Sequence, residues 1–173
     1  MMVKIERKPL KMRHYKHFLI RDWHPCDRNK VSQLIAVVLE EYGLSFEPNG
    51  ADLDVIEIEQ FYQNAGGKFW VVELNNTIVG TGGYYPIHRG DHAVEIRKMY
   101  LLPSVRGQGL GTYLLQALEQ DIITQGYQQI WIETATCLTE AIQLYEKYNY
   151  QQSIGVETPR CDRVYVKYLS KLG

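Results

Sequence analysis

Residues 95–112, EIRKMYLLPSVRGQGLGT, constrain this chain more than any other stretch. Across residues 93–102, Val94, Ile96, Met99, Tyr100 and Leu101 crowd an alternating run with charges at Glu95, Arg97 and Lys98. That is the pattern of a strand. Pro103 lacks the N–H that a sheet ladder needs, so the strand ends before it. Residues 106–111 read RGQGLG, and Leu110, Leu114, Leu118 and Ile122 then recur at every fourth position with Leu115 alongside. Such a stripe belongs to an amphipathic helix. Strand, glycine-rich turn and helix together make an anion site. The first N–H groups of a helix have no internal partner, the helix dipole adds positive charge, and glycine lets a ligand approach the backbone closely. The segment is suited to hold a phosphate.

Three patterns compete for the identity of that phosphate. A P-loop requires Gly-Lys-Ser or Gly-Lys-Thr, and neither occurs anywhere in the sequence. A Rossmann fingerprint places its glycines directly after the strand, with an acidic residue about 20 positions on. Gly107 and Gly109 fit it and Glu133 lies at a suitable distance. Thr112, however, holds the third glycine position, and residues 103–106 separate strand from glycines. A Rossmann nucleotide enzyme stays open on those glycines alone. The third pattern is Arg or Gln, two residues, Gly, one residue, Gly or Ala, which 106–111 match, followed by AIQLYEKYNY at 141–150. On these residues the chain resembles the GNAT superfamily of acyl-CoA-dependent N-acyltransferases. The resemblance covers roughly 18–169 and is strongest over 93–150.

The remaining features set bounds. A chain of 173 residues, 45% apolar and 23% charged, is expected to form one globular domain with a sizeable core. A formal charge of -1 offers no general attraction to nucleic acid or to an anionic membrane. Cys26, Cys137 and Cys161 are widely spaced, and the five histidines show no ligand spacing, so neither a disulfide framework nor a metal site is expected. No apolar run is long enough for a signal peptide or a membrane span, which points to the cytoplasm. Residues 1–16 carry Lys4, Arg7, Lys8, Lys11, Arg13 and Lys16 against Glu6 alone. They read as a solvated basic extension ahead of one domain at 17–173, the alternative being an arm that touches nucleic acid or membrane.

In chain order, residues 18–23 read as a strand, and Asp27 as the N-cap of a helix to about Tyr42 that buries Val31, Leu34, Ile35, Val38 and Leu39. A shorter helix is expected at 55–64. Strands at 69–74 and 78–87 flank Asn75 and Asn76, residues that tolerate the positive φ of a tight hairpin. Gly80, Gly82 and Gly83 within the second strand suggest a bulge, a close ligand approach or small-residue packing. Residues 129–134 form a strand expected to pair in parallel with 93–102 through the long helix. Thr139 is expected to cap a helix ended by Asn149, and strands at 150–154 and 163–169 close the sheet. The fold class is α+β, with a mixed, mostly antiparallel twisted sheet flanked by helices.

The resemblance implies a chemistry as well as a fold. Family members hold the acyl-CoA pyrophosphate on backbone N–H groups of the glycine-rich turn, which here comprises Arg106, Gly107, Gln108, Gly109, Leu110, Gly111 and Thr112. The pantetheine arm runs along the central strand and bonds its main chain near Met99 and Leu101. Glu95 occupies the position of a general base, although it could instead be a surface carboxylate paired with Arg97 or Lys98. Tyr145 corresponds to the tyrosine that points at the CoA sulfur and acts as the acid, protonating or hydrogen-bonding the departing thiolate, the alternative being a plain core residue. Leu138 stands where many members have an asparagine that contacts pantetheine, so Thr134 or Thr136 must supply that contact or it is absent. Cys137 could act as a ping-pong nucleophile, but nothing in its surroundings in sequence activates it. The implied activity is an acetyl-CoA-dependent N-acetyltransferase that needs no metal, with direct attack by an amine. A small-molecule amine is the first expectation; a protein N-terminus or lysine, or a non-catalytic acyl-CoA binder, is the alternative. A homodimer through the closing strands is the one expected assembly.

Overall fold

Eight strands form one sheet in the computed structural model, which describes residues 12–170. They are β1 (Arg13–Tyr15), β2 (Phe18–Asp22), β3 (Lys68–Leu74), β4 (Thr77–Ile87), β5 (Ala93–Leu101), β6 (Gln129–Thr134), β7 (Gln151–Ser153) and β8 (Arg163–Tyr168). Four α-helices accompany them: α1 (Arg28–Glu41), α2 (Leu53–Ile56), α3 (Leu110–Thr124) and α4 (Thr139–Lys147). The strand order is β1-β2-β3-β4-β5-β6-β8-β7. Every neighbouring pair is antiparallel except β5 and β6, which the α3 crossover brings together in parallel. The α+β architecture expected from the sequence is the one found.

Alternation along β3 divides the core in two. Phe69 and Val71 pack with Val31, Leu34, Ile35 and Leu39 of α1 on one face. Trp70 and Val72 point the other way, into a cluster with Leu114, Leu118 and Ile122 of α3. Both stripes read from the sequence are therefore core. Burying each of these leucines or isoleucines contributes roughly 2 kcal/mol of transfer free energy.

Three local expectations change. Asp27 makes no cap bond to α1. It belongs to the 3-10 turn Pro25–Asp27, where its carboxylate accepts from the N–H of His24 and from both terminal nitrogens of Arg21. The charged partner on β2 outcompetes a helix N–H for it. Leu138, not Thr139, is the N-cap of α4, and it offers no side-chain hydrogen bond. The helix expected at 55–64 divides into α2 and a wide π-helical turn, Glu59–Gln63, that carries Tyr62 inward until its hydroxyl donates to Asp54 at 2.5 Å. In addition, β1 lies within the stretch assigned on sequence to the basic extension, and it pairs with β2 as the sheet's edge. Residues 1–11 of that extension lie outside the described residues.

Other punctuation holds. Asn75 and Asn76 sit at φ 50° and 64°, and Asn149 at 67°. The β4–β5 register shifts between Thr81 and Gly83, leaving Gly82 opposite both Lys98 and Met99. A bulge therefore sits at the centre of β5, with Lys98 at φ 55°. The glycines of β4 serve packing: a Cβ on Gly83 would lie 2.8 Å from the Lys68 carbonyl.

Candidate active site

The β5–β6 ladder is short. It pairs Ala93 with Gln129, Val94 with Ile130 and Glu95 with Trp131, and then stops. Beyond Glu95 the two strands part, and a cleft of about 340 Å³ opens between them. Its walls are residues 96–101 of β5, residues 132–134 of β6, the start of α3, and Ala141, Leu144 and Tyr145 of α4.

At one end lies the glycine-rich turn. Gly107 and Gly109 take φ of 74° and 82°, backbone conformations that other residues rarely adopt. The helix that follows has no side-chain cap, and its first bond back into the turn is Tyr113 N–H to Gly109 O at 3.0 Å. The earlier N–H groups of the helix are left for a ligand. Gly107, Gly109, Leu110, Gly111 and Thr112 line the cleft. Gln108 does not; its carbonyl accepts from the Tyr15 hydroxyl at 2.9 Å and Lys16 Nζ at 2.7 Å. Arg106 lines the cleft as well, but its polar groups are engaged within the protein. Its N–H donates to Pro103 O at 3.3 Å, and its guanidinium makes a two-pronged pair with Glu41 at 2.7 and 2.9 Å. It clamps the turn to α1.

Along the cleft, Met99 and Leu101 present main chain to the parted side. Leu102 N–H donates to Val79 O on β4, so the Leu101 carbonyl, on the opposite side of that peptide, points into the cleft. Arg106 already occupies it, at 3.0 and 2.8 Å. The Leu101 N–H and both polar groups of Met99 face the same way and pair with no strand there.

Glu95 sits at the last rung of the ladder and is 9% exposed. Burial pushes its carboxyl up to about 7, against the pull of the Arg97 guanidinium 3.2 Å away and with help from the charge of Glu133. It borders a second, smaller cavity of about 50 Å³ together with Arg97, Glu133, Arg160 and Cys161. The Glu133 carboxylate is already engaged, accepting from Thr158 at both N–H and hydroxyl, at 3.0 and 2.7 Å. Tyr145, 5% exposed, faces the larger cleft. Burial raises its phenol well above the ordinary value, with Tyr100 and Cys161 adding to the effect, so it stays protonated.

Of the two threonines that could stand in for the missing asparagine, Thr134 faces both cavities. Thr136 is committed to Asp162 at 2.8 Å and to Arg163 at 3.1 Å. Cys137 is exposed and lines neither cavity. Cys161 lines the smaller one, but burial pushes its thiol up to about 11, which leaves little thiolate.

Sequence reasoning missed a buried ionic cluster behind Glu95. Asp52, fully buried, receives Lys98 Nζ at 2.7 Å, Arg160 at 2.7 and 2.9 Å, and the Glu47 N–H at 2.8 Å. Burial alone would raise its carboxyl, but the bonds from Arg160 and the charge of Lys98 win and hold it at about 2. Asp54 lies 3.4 Å from Lys98 and 3.3 Å from Arg97 Nε, the latter contact too poorly aligned for a hydrogen bond. These partners are brought together across the fold, and no local pattern announces them. Among the described residues no helix is long and apolar enough to cross a membrane, and no His, Cys, Asp and Glu cluster could hold a metal.

A sheet that parts beside an uncapped helix N-terminus is the architecture of an N-acyltransferase. The profile of the Acetyltransferase (GNAT) family matches residues 35–150, and the chain belongs to that family. It is 36% identical over 129 residues to the uncharacterized N-acetyltransferase YjgM of Escherichia coli (strain K12), covering 72% of this chain and 77% of that protein. A GNAT-family acetyltransferase from Staphylococcus aureus Mu50 superposes with a TM-score of 0.82 at 20% identity, over 88% of this chain and 99% of that one. Salmonella typhimurium yncA, solved with its cofactor acetyl-CoA, superposes with a TM-score of 0.71 at 18% identity, over 90% and 96%.

Proposed function

We propose that this chain moves the acetyl group of acetyl-CoA onto a primary amine of a small molecule by direct attack. The observation that carries the reading is the parted ladder: free helix N–H groups at one end, unpaired strand backbone along the middle, and Glu95 at the apex. The residues fit acetyl-CoA. The N–H groups of Gly107, Gly109, Leu110 and Gly111 suit a pyrophosphate. Met99 and the Leu101 N–H suit an extended amide arm, with the Leu101 carbonyl withheld by Arg106. Acetyl-CoA supplies a reactive thioester when bound.

A primary amine with a pKa near 10 must lose a proton before it attacks. A carboxylate with its pKa near 7 suits that task at neutral pH, being both largely ionised and a usable base. Tyr145 then serves as a donor to the departing sulfur. A thiol has a pKa of about 8.5, so complete transfer from a phenol raised above 10 is uphill by at least ~2 kcal/mol. Tyr145 is therefore a hydrogen-bond donor that stabilises the thiolate rather than its proton source. The small cavity at Glu95, which Arg160 helps to line, favours a narrow amine head. The three free cysteines, two of them exposed, suit the cytoplasm. The exposed edge strand β7 is the surface through which a homodimer would form.

Calorimetric titration with CoA, acetyl-CoA and NAD tests the cofactor. The informative variant is Gly111→Asp. Its Cβ meets only Leu101 and Leu144 at 3.7 and 3.8 Å, and its charge suits the first turn of α3, so the fold is kept while the cleft is blocked. CoA binding to the wild type that is lost in the variant supports the proposal, and NAD binding without CoA binding sinks it. Thiol release with panels of amines and peptides then separates small-molecule from protein acceptors.

A further inference from the structure

The turn assigned to the phosphates brings no free cation of its own. Arg106 is the only basic residue among 103–112, and Glu41 neutralises it in a two-pronged pair on the α1 side. A cation comes instead from the tip of the β1–β2 hairpin. Lys16, exposed and held at φ 52°, places Nζ 2.7 Å from the Gln108 carbonyl. The hairpin is fastened there independently. Tyr15 stacks on Tyr113 of α3 with ring centroids 4.6 Å apart, and its hydroxyl donates to the same carbonyl at 2.9 Å. A Cβ on Gly109 would lie 2.6 Å from that hydroxyl, which shows how closely hairpin and turn approach. Among the described residues no carboxylate pairs with Lys16. An ammonium carries three donors and one is used, so two remain for an anion at the neighbouring N–H groups.

We infer that Lys16 is a binding residue for the phosphates of acyl-CoA, recruited from the sheet's edge to supply the charge that the glycine-rich turn lacks. The inference rests on the cofactor reading above. It also gives β1 a purpose beyond closing the sheet: Tyr15 positions the hairpin and Lys16 makes the contact. A unit charge near a solvent-exposed phosphate corresponds to roughly a fivefold to tenfold change in affinity, weakened by salt.

The test is titration of the full chain and its Lys16→Gln and Lys16→Arg variants with CoA, dephospho-CoA and acetylpantetheine, at low and high salt. The expected result is a Kd for CoA raised roughly fivefold to tenfold in Lys16→Gln, restored in Lys16→Arg and reduced by salt, with acetylpantetheine unaffected. A loss that vanishes with dephospho-CoA assigns Lys16 to the 3′-phosphate; a loss that persists assigns it to the pyrophosphate. Equal CoA binding by wild type and Lys16→Gln overturns the inference while leaving the cofactor reading intact. So does an equal loss for acetylpantetheine, which marks a structural effect. A wild type that binds no CoA overturns the cofactor reading first.

Discussion

Replacing Glu95 by Gln should make the protein more stable at alkaline pH while it loses activity. The folded-state carboxyl is raised from 4.5 to about 7, chiefly by burial. Between those values the unfolded chain has released its proton and the folded chain still holds it. Folding stability therefore falls as pH rises through the window and levels off above about 7. From pH 5 to pH 8 the loss is on the order of 2–3 kcal/mol, about two units of the window at about 1.4 kcal/mol each. Glutamine imitates the neutral acid and pays none of it. Urea denaturation of both proteins at pH 5 and pH 8 reads the difference directly. The variant should match the wild type to within about 1 kcal/mol at pH 5 and exceed it by about 2–3 kcal/mol at pH 8. Its turnover should drop by at least about a hundredfold if Glu95 takes the amine proton, and the rise of kcat/KM through pH 7 should vanish. A stability difference that does not change with pH would refute the argument, because Glu95 would then be an ordinary surface carboxylate paired with Arg97.

Two further outcomes follow from the site. Tyr145→Phe should lower kcat roughly tenfold to a hundredfold and leave the Kd for CoA unchanged, since only a hydrogen bond to the departing sulfur is removed; an unaltered kcat in stopped-flow thiol release would mark the phenol as core alone. Asp52→Ala should destabilise the fold by about 3–5 kcal/mol in denaturant titration, because Lys98 and Arg160 lose the charge that balances them in the interior. Asp52 also predicts a pH effect opposite in sign to that of Glu95. Its carboxyl is held at about 2, so its contribution is complete above the ordinary carboxylate range and fades as pH falls through 2.

What could be read from the sequence was periodic or local. The α1 and α3 stripes, the Asn75–Asn76 turn, the left-handed Asn149 and the parallel β5–β6 pair all follow from spacing or from single residues whose backbone preferences are strong. Glu95 and Tyr145 became candidates only through resemblance, since a carboxylate on a strand and a tyrosine on a helix have no local pattern that distinguishes catalyst from core. Three things stayed hidden, one because it is short and two because their partners are distant in sequence. Strand β1 is three residues of mixed polarity, too short for an alternation to register. The resemblance assigns Arg106 to the phosphates by its backbone N–H, and nothing local shows that its side chain pairs with Glu41, 65 positions away. The Asp52 cluster joins residues 46 and 108 positions apart. Pairings at such distances depend on the finished topology.

That cluster explains how a strained strand can serve the site. Lys98 adopts a left-handed conformation in mid-strand, which costs about 1–3 kcal/mol for a residue with a side chain. Its carbonyl is held by the Thr81 hydroxyl at 2.7 Å, and its ammonium is drawn to Asp52 at 2.7 Å and the Ala51 carbonyl at 3.0 Å. These bonds fix the bulge, and the bulge lies between Glu95 and Leu101, the proposed base and the strand edge proposed to face the cofactor. Arg160 reaches the same Asp52 from the β7–β8 loop and also bonds the Ser45 carbonyl at 2.9 Å. One buried carboxylate thus ties together the bulged strand, the loop ahead of α2 and the loop that roofs the smaller cavity. The two cavities, proposed for acceptor and acyl-CoA, share a common anchor, and a change at Asp52 should disturb both at once.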